Sequence, residues 1–158
     1  MDEVLKNTQM TNSKKYLSNV QERLDCIGRV IDSENNAYSN TRYCFDFTSR
    51  ESHHFHRLTI TGDEFVIQFL ERGETTSEQK YVGEDEFVYR MVRRRLRVIA
   101  NVSTHGRGPM TEAIRREQLN LELSLLRKID TTWAVEFEKD IENSVARYPY
   151  PNKGRNKQ

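Results

Sequence analysis

Apolar residues recur along this chain with two different periods, and the changes of period divide it. From Ser13 to about Asp32, the residues Tyr16, Val20, Leu24, Ile27 and Ile31 fall at steps of three and four, which places them on one stripe of an amphipathic helix. Thr11, Asn12 or Ser13 can cap its first turn by accepting a backbone N–H, and the polar run Asp32-Ser33-Glu34-Asn35-Asn36 ends it. Residues 1–12 are expected to fray ahead of that cap.

The period then drops to two. Tyr43, Phe45 and Phe47 alternate with Cys44, Asp46 and Thr48, and Leu58 and Ile60 alternate with Arg57, Thr59 and Thr61. Phe65, Ile67 and Phe69 continue the alternation after a Gly62-Asp63 turn, and Arg72-Gly73-Glu74 turns the chain again into the polar segment Thr75–Val82. The pattern predicts an antiparallel meander of four strands whose last member is an edge.

Gly83 closes the meander, and a helical period returns. Glu84-Asp85-Glu86 suits the positive N-terminal end of a helix, and Val88, Met91, Val92, Leu96, Ile99 and Val102 supply its apolar stripe to about Ser103. The run Thr104-His105-Gly106-Arg107-Gly108-Pro109 breaks it. Thr111 can cap a third helix whose leucines occupy more than one face, as in a helix packed between neighbours. Asp130-Thr131 restarts the chain into a fourth helix with Trp133, Phe137, Ile141, Val145 and Tyr148 on one side, until Pro149 and Pro151 end the pattern. The predicted fold is α+β: an N-terminal helix, a four-stranded antiparallel meander and three C-terminal helices packed on one face of the sheet. One domain is expected over residues 13–148, with a disordered tail from 149 to 158.

Composition narrows the function classes. The 158 residues include 31% charged and 35% hydrophobic side chains, enough apolar anchors for a core under a heavily charged surface. Lys and Arg number 25 against 24 Asp and Glu, so no global field draws the chain to DNA or to an anionic membrane. Runs such as Phe65-Val66-Ile67 are far shorter than the roughly 20 residues that span a bilayer. The N-terminus lacks the apolar segment of a secretory signal, and Cys26 and Cys44 stand in no metal-ligand spacing. A cytoplasmic protein with two free thiols and no membrane contact is expected.

Catalytic signals are absent. His54 and His56 would share one side of a strand within His53-His54-Phe55-His56, but two imidazoles do not complete a metal site, and a surface hairpin turn is the expected reading. Pairing of Cys44 with a histidine across the first hairpin lacks any mark of an oxyanion hole. Glu84, Asp85 and Glu86 read as a solvated face rather than an acid/base pair. Gly106-Arg107-Gly108 lacks the spacing of a phosphate loop and reads as a turn between helices. No catalytic residue, metal ligand or cofactor is therefore assigned.

Charge is distributed unevenly. Residues 63–86 hold eight acids and two bases, whereas residues 90–116 hold eight arginines and one acid, Glu112. The arginines can flank the stripe of the second helix, covering core with their stems and pairing with the acidic strands. Alternatively, one patch docks a partner of opposite charge. Candidate partner-binding residues are Glu71, Glu74, Glu78, Glu84, Asp85, Arg90, Arg93, Arg94 and Arg97. Nucleic acid is the lesser expectation, because Arg93-Arg94-Arg95-Leu96-Arg97 has little aromatic interleaving and adjoins an acidic stretch.

The segments YRMVRRRLRVIA, IRREQLNLELSLLRKID and TTWAVEFEKDIENSVARYPY, after a meander that ends in Glu71-Arg72-Gly73, carry a family resemblance. Over about residues 38–151 the order of elements, with Tyr89, Arg115-Arg116, Leu125-Leu126, Trp133, Ile141 and Pro149, resembles a family of small bacterial immunity proteins from polymorphic-toxin and contact-dependent growth-inhibition systems. The Arg93-Arg94-Arg95 run and the Gly-Arg-Gly-Pro interruption depart from that pattern. Membership would imply a cytosolic antidote that binds one cognate toxin, for example a nuclease, and blocks its active site or access to its substrate. Toxin-facing residues do not transfer, because they vary with the toxin. The expectation is a non-enzymatic immunity protein, and its rival is a small nucleic-acid-binding regulator using the helix around Arg93–Arg97.

Overall fold

The structure is a computed structural model that describes residues 2–34, Phe47 and residues 56–147. Its elements run α1 (Asp2–Glu34), β1 (His56–Thr61), β2 (Glu64–Glu71), β3 (Glu74–Val82), α2 (Glu84–Ser103), α3 (Glu112–Ile129) and α4 (Thr131–Arg147). The fold is α+β, with four helices and one antiparallel sheet in the order β1-β2-β3 among the described residues. Three strands stand where four were expected. The first expected strand, around Tyr43 and Phe45, lies outside the described residues, and Phe47 occupies a bend. The chain divides into two compact units, Met1–Arg95 and Leu96–Gln158.

The first unit contains the sheet. Two-residue turns close both hairpins, with Thr61 opposite Glu64 and Glu71 opposite Glu74. Gly62 takes the positive φ that a hairpin turn needs at its first central position. In the second turn Arg72 (φ 53°) and Gly73 (φ 85°) both have positive φ, as a type I′ turn requires; Arg72 is the one non-glycine residue of this kind among the described residues.

One sheet face carries Phe65 and Ile67, each 0% exposed, with Leu58 and Ile60 half-buried beside them on β1. Aromatic rings tie that face to the helices. Phe65 stacks on Phe87 of α2 at 4.8 Å and meets Tyr16 of α1 at 6.0 Å, while Phe87 also meets Phe47 and Tyr81. Gln21 of α1 is buried and fixes Phe47 by accepting its backbone N–H at 2.8 Å.

The expected α1 stripe holds at its centre, where Val20, Leu24 and Ile31 are buried, with Tyr16 and Ile27 half-buried. The helix begins at Asp2 rather than at a cap near Ser13. No proline or glycine interrupts the chain before Gly28, and Asp2 and Glu3 complement the positive end of a helix, so nothing local stops helix from extending back through Thr11-Asn12-Ser13.

Helix α2 begins and ends as expected, and Val88, Met91, Val92, Leu96 and Ile99 are at most 1% exposed. Val102, expected on the same stripe, is instead 49% exposed.

The second unit comprises the end of α2, α3 and α4. Thr111 caps α3 by accepting the N–H of Ile114 at 3.2 Å. Asp130 serves both neighbouring helices: its N–H donates to the Leu126 carbonyl at the end of α3, and its Oδ1 accepts from the Thr132 and Trp133 amides at the start of α4. Trp133, Ala134 and Phe137 are buried on α4 and Leu125 and Leu126 on α3. Helix α3 buries one stripe, Gln118-Glu122-Leu125-Leu126, rather than the several faces its leucines suggested; Ile114, Leu119, Leu121, Leu123 and Ile129 are half-buried. Two of those buried positions are polar, which hydropathy alone cannot reveal. Gln118 donates to Thr104 Oγ1 at 2.6 Å, so the turn after α2 is fixed by a buried side-chain bond.

Candidate functional site

The arginines of α2 meet different fates, and helical position decides which. Arg95 falls three and four residues from Val92, Met91 and Ile99, on the apolar stripe, so it is carried inward and is 2% exposed. Its guanidinium donates to Asp32 on α1, forming a largely buried ion pair. The site expected from sequence omitted Arg95, although its spacing from Met91 and Ile99 marks it as the arginine that cannot face solvent.

Arg94 lies over the ring of Phe69, with its guanidinium carbon 4.5 Å from the centroid, and reaches Gln79 Oε1 at 3.5 Å. Arg93 approaches the Tyr89 hydroxyl at 3.4 Å and the Tyr89 ring at 5.8 Å. Arg90 donates to Glu86 at 2.6 Å one turn earlier and sits 5.6 Å from the same ring. Arg97 is exposed. Much of the run is thus engaged with rings and carboxylates of its own unit, in line with stems covering core, although the partners are largely other than the acidic strands.

The acids separate into two groups. Glu84 and Asp85 are gripped by Arg23 of α1, at 2.9 and 2.6 Å. The pairing holds the Arg23 guanidinium above its ordinary value even though burial pulls the other way. Burial and the hydrogen bond to Glu84 raise the Tyr16 phenol. Glu84 therefore belongs to the packing of α1 against α2, and the reading of Glu84, Asp85 and Glu86 as a wholly solvated face is corrected for Glu84, whose side chain is 30% exposed. Glu71, Glu74 and Glu78 form the second group, on the β2–β3 hairpin, and all three are exposed. Glu71 and Glu74 face each other across the tight turn, and Glu78 accepts from Gln68 at 2.9 Å with Lys80 3.7 Å away.

Polar and aromatic contacts extend along the sheet from His56 and Phe69 to Tyr81. His56 meets Phe69 edge-on at 5.2 Å. Burial and the nearby Arg94 guanidinium push the His56 imidazole below its ordinary value. Tyr81 donates to Gln79 at 2.6 Å, and burial raises its phenol. His56 is the one member of the histidine run within the described residues, as Cys44, His53 and His54 lie outside them. Among the described residues no group of three or more His, Cys, Asp or Glu side chains could hold a metal ion. Cys26 is a free, exposed thiol that accepts from Arg29 at 2.9 Å.

The second unit contributes a shallow groove of about 310 Å³ between α3 and α4, lined by Leu119, Leu123, Ile141, Arg116, Glu138 and Glu142, among others. Arg116 pairs with Glu112 and Glu138 with Arg127, so these two lining charges are already engaged. No helix is long and apolar enough to cross a membrane among the described residues.

Taken together, these features define an α+β protein in which Glu71, Glu74 and Glu78 stand exposed on the β2–β3 hairpin. No protein-family model, curated protein or solved structure matches the chain.

Proposed function

We propose that this chain is a protein-binding domain of the immunity type, which neutralises a cognate protein toxin in the cytoplasm by occupying it and has no catalytic step or cofactor of its own. The observation that carries the reading is the contrast in charge display: Glu71, Glu74 and Glu78 stand exposed on the hairpin, whereas Arg95 is buried on Asp32 and Arg94 lies on Phe69. Exposed carboxylates at the end of a hairpin suit long-range steering toward a basic partner such as a nuclease toxin. The same contrast weakens the nucleic-acid reading, because phosphate contacts need guanidinium groups directed at solvent, and Arg95 is buried while Arg93 and Arg94 are half-buried against Tyr89 and Phe69.

The test is co-expression with protein toxins, basic nucleases among them, with survival of the cells as the readout. Glu71→Lys with Glu74→Lys should slow association by about tenfold or more at low salt and weaken protection of the cells. Glu84 is a poor probe, since its reversal would also disturb Arg23. Tight, salt-sensitive binding of DNA or RNA without any protection would contradict the reading.

A further inference from the structure

The strand β3 supports an inference independent of what the chain neutralises. Residues 74–80 are all exposed, Tyr81 is half-buried and Val82 is 68% exposed, so the strand places almost nothing in the core. Among the described residues it pairs on one side alone, with β2. Its direction of backbone bonding follows from the register. The two-residue turn makes Thr61 and Glu64 a hydrogen-bonded pair, so alternation aims the Glu64, Val66 and Gln68 backbones at β1 and those of Phe65, Ile67 and Phe69 at β3. Their partners Tyr81, Gln79 and Ser77 point back at β2, and Glu78, Lys80 and Val82 present their N–H and C=O groups to the open side. The Gly83 N–H donates to the Asp63 carbonyl at 2.7 Å, which continues the same alternation by one residue.

The open edge is self-complementary in charge. When two copies of the strand run antiparallel about a twofold axis at Gln79, Glu78 of each copy lies opposite Lys80 of the other, and both outward-bonding pairs are hydrogen-bonded pairs. Glu78 and Lys80 are on the same sheet face and 39% and 59% exposed, so they can meet across the junction. The shift in register between Phe69 and Leu70 leaves Thr76 as the extra residue of β3, which ends regular pairing on that side and confines the symmetric match to residues 77–81. A basic strand from another protein would meet Lys80 in the middle of this edge and finds no comparable match.

We propose that β3 is the contact between two copies of this chain, which join edge to edge into one continuous antiparallel sheet with reciprocal Glu78–Lys80 pairs. The interface is small and of the transient class, so the dimer is concentration-dependent. It leaves Glu71 and Glu74 outside the paired segment, so the failure of this proposal and that of the toxin-binding reading are separable.

Sedimentation of the full chain from about 10 µM to about 1 mM, the range in which small interfaces dissociate, tests it. The wild-type mass should rise toward that of a dimer. Glu78→Lys or Lys80→Glu alone turns both attractive pairs into like-charge pairs and should weaken dimerisation by about tenfold or more. The double variant Glu78→Lys/Lys80→Glu restores opposite charges and should recover most of the lost affinity. Lys80→Pro, which removes an outward N–H and no β2 bond, should leave a folded monomer by circular dichroism. A wild-type chain that stays monomeric throughout would overturn the proposal. So would dimerisation unaffected by either reversal, or a double variant no better than the single ones.

Discussion

Neighbouring strands of one sheet follow opposite designs. β2 carries Phe65, Ile67 and Leu70 into the core, whereas β3, bonded to it along nearly its whole length, is polar and wet on both faces until Tyr81. Backbone pairing and side-chain burial are therefore separable sources of strand formation. β2 is fixed by what it buries, and β3 by its ladder and by a tight turn. A strand with no core to serve is free to vary its side chains for solvent or for a partner, which is where the exposed acids lie.

The largest expected effects break this contrast directly. Ile67 and Gln79 face each other across the ladder. Ile67→Ala should lower stability by about 2–5 kcal/mol, whereas Gln79→Ala, which removes only exposed hydrogen bonds from Tyr81 and Arg94, should cost no more than about 1 kcal/mol, measured by urea denaturation. In the helical unit, Trp133, buried and capped at its amide by Asp130, should match the core strand, with a loss of about 3–5 kcal/mol on Trp133→Ala.

A similar contrast holds between arginines. Arg95→Ala removes a buried stem and leaves Asp32 without the guanidinium; because the Asp32 side chain is 29% exposed and can take up water, the loss should be about 2–3 kcal/mol rather than the maximum for a sealed pair. Arg97→Ala, two residues on and exposed, should fall within about 0.5 kcal/mol of wild type in the same measurement.

Smaller effects sharpen the picture of the hairpin. Arg72→Asn should raise stability by about 1 kcal/mol, since the type I′ turn favours Asn-Gly and arginine is strained at positive φ. His56 supplies the pH dependence. Its folded pKa lies below the ordinary value of about 6.5, so the unfolded chain binds the proton more readily; stability from this group is full above about pH 6.5 and is lost as pH falls through the lowered folded value. His56→Gln should flatten that part of a melting-temperature profile between neutral and mildly acidic pH.

Much of this organisation is legible in the sequence, and the exceptions have physical causes. The limits of α2, the Thr111 cap, the turns at Gly62-Asp63 and Arg72-Gly73 and the polar edge strand follow from residue types that act locally. The start of α1 was missed because Thr11, Asn12 and Ser13 are good caps and also tolerable inside a long helix. The inward Arg95 and the buried Gln118 and Glu122 were missed because a hydropathy pattern assigns such residues to solvent, and only their spacing from apolar neighbours says otherwise. The hairpin acids named from sequence are exposed, but sequence could not separate them from Glu84, whose pairing depends on Arg23, 61 positions away.

Amide hydrogen exchange of the dilute chain, resolved residue by residue, tests the central contrast most directly. If β3 is held only by β2 and its outer side is open, the amides of Ser77, Gln79 and Tyr81 should be protected together with those of β2, while those of Glu78, Lys80 and Val82 exchange at nearly unprotected rates. Equal protection along the whole strand at high dilution would mean that another part of the same chain covers that edge, and would contradict the assignment of β3 as an open, solvent-facing strand.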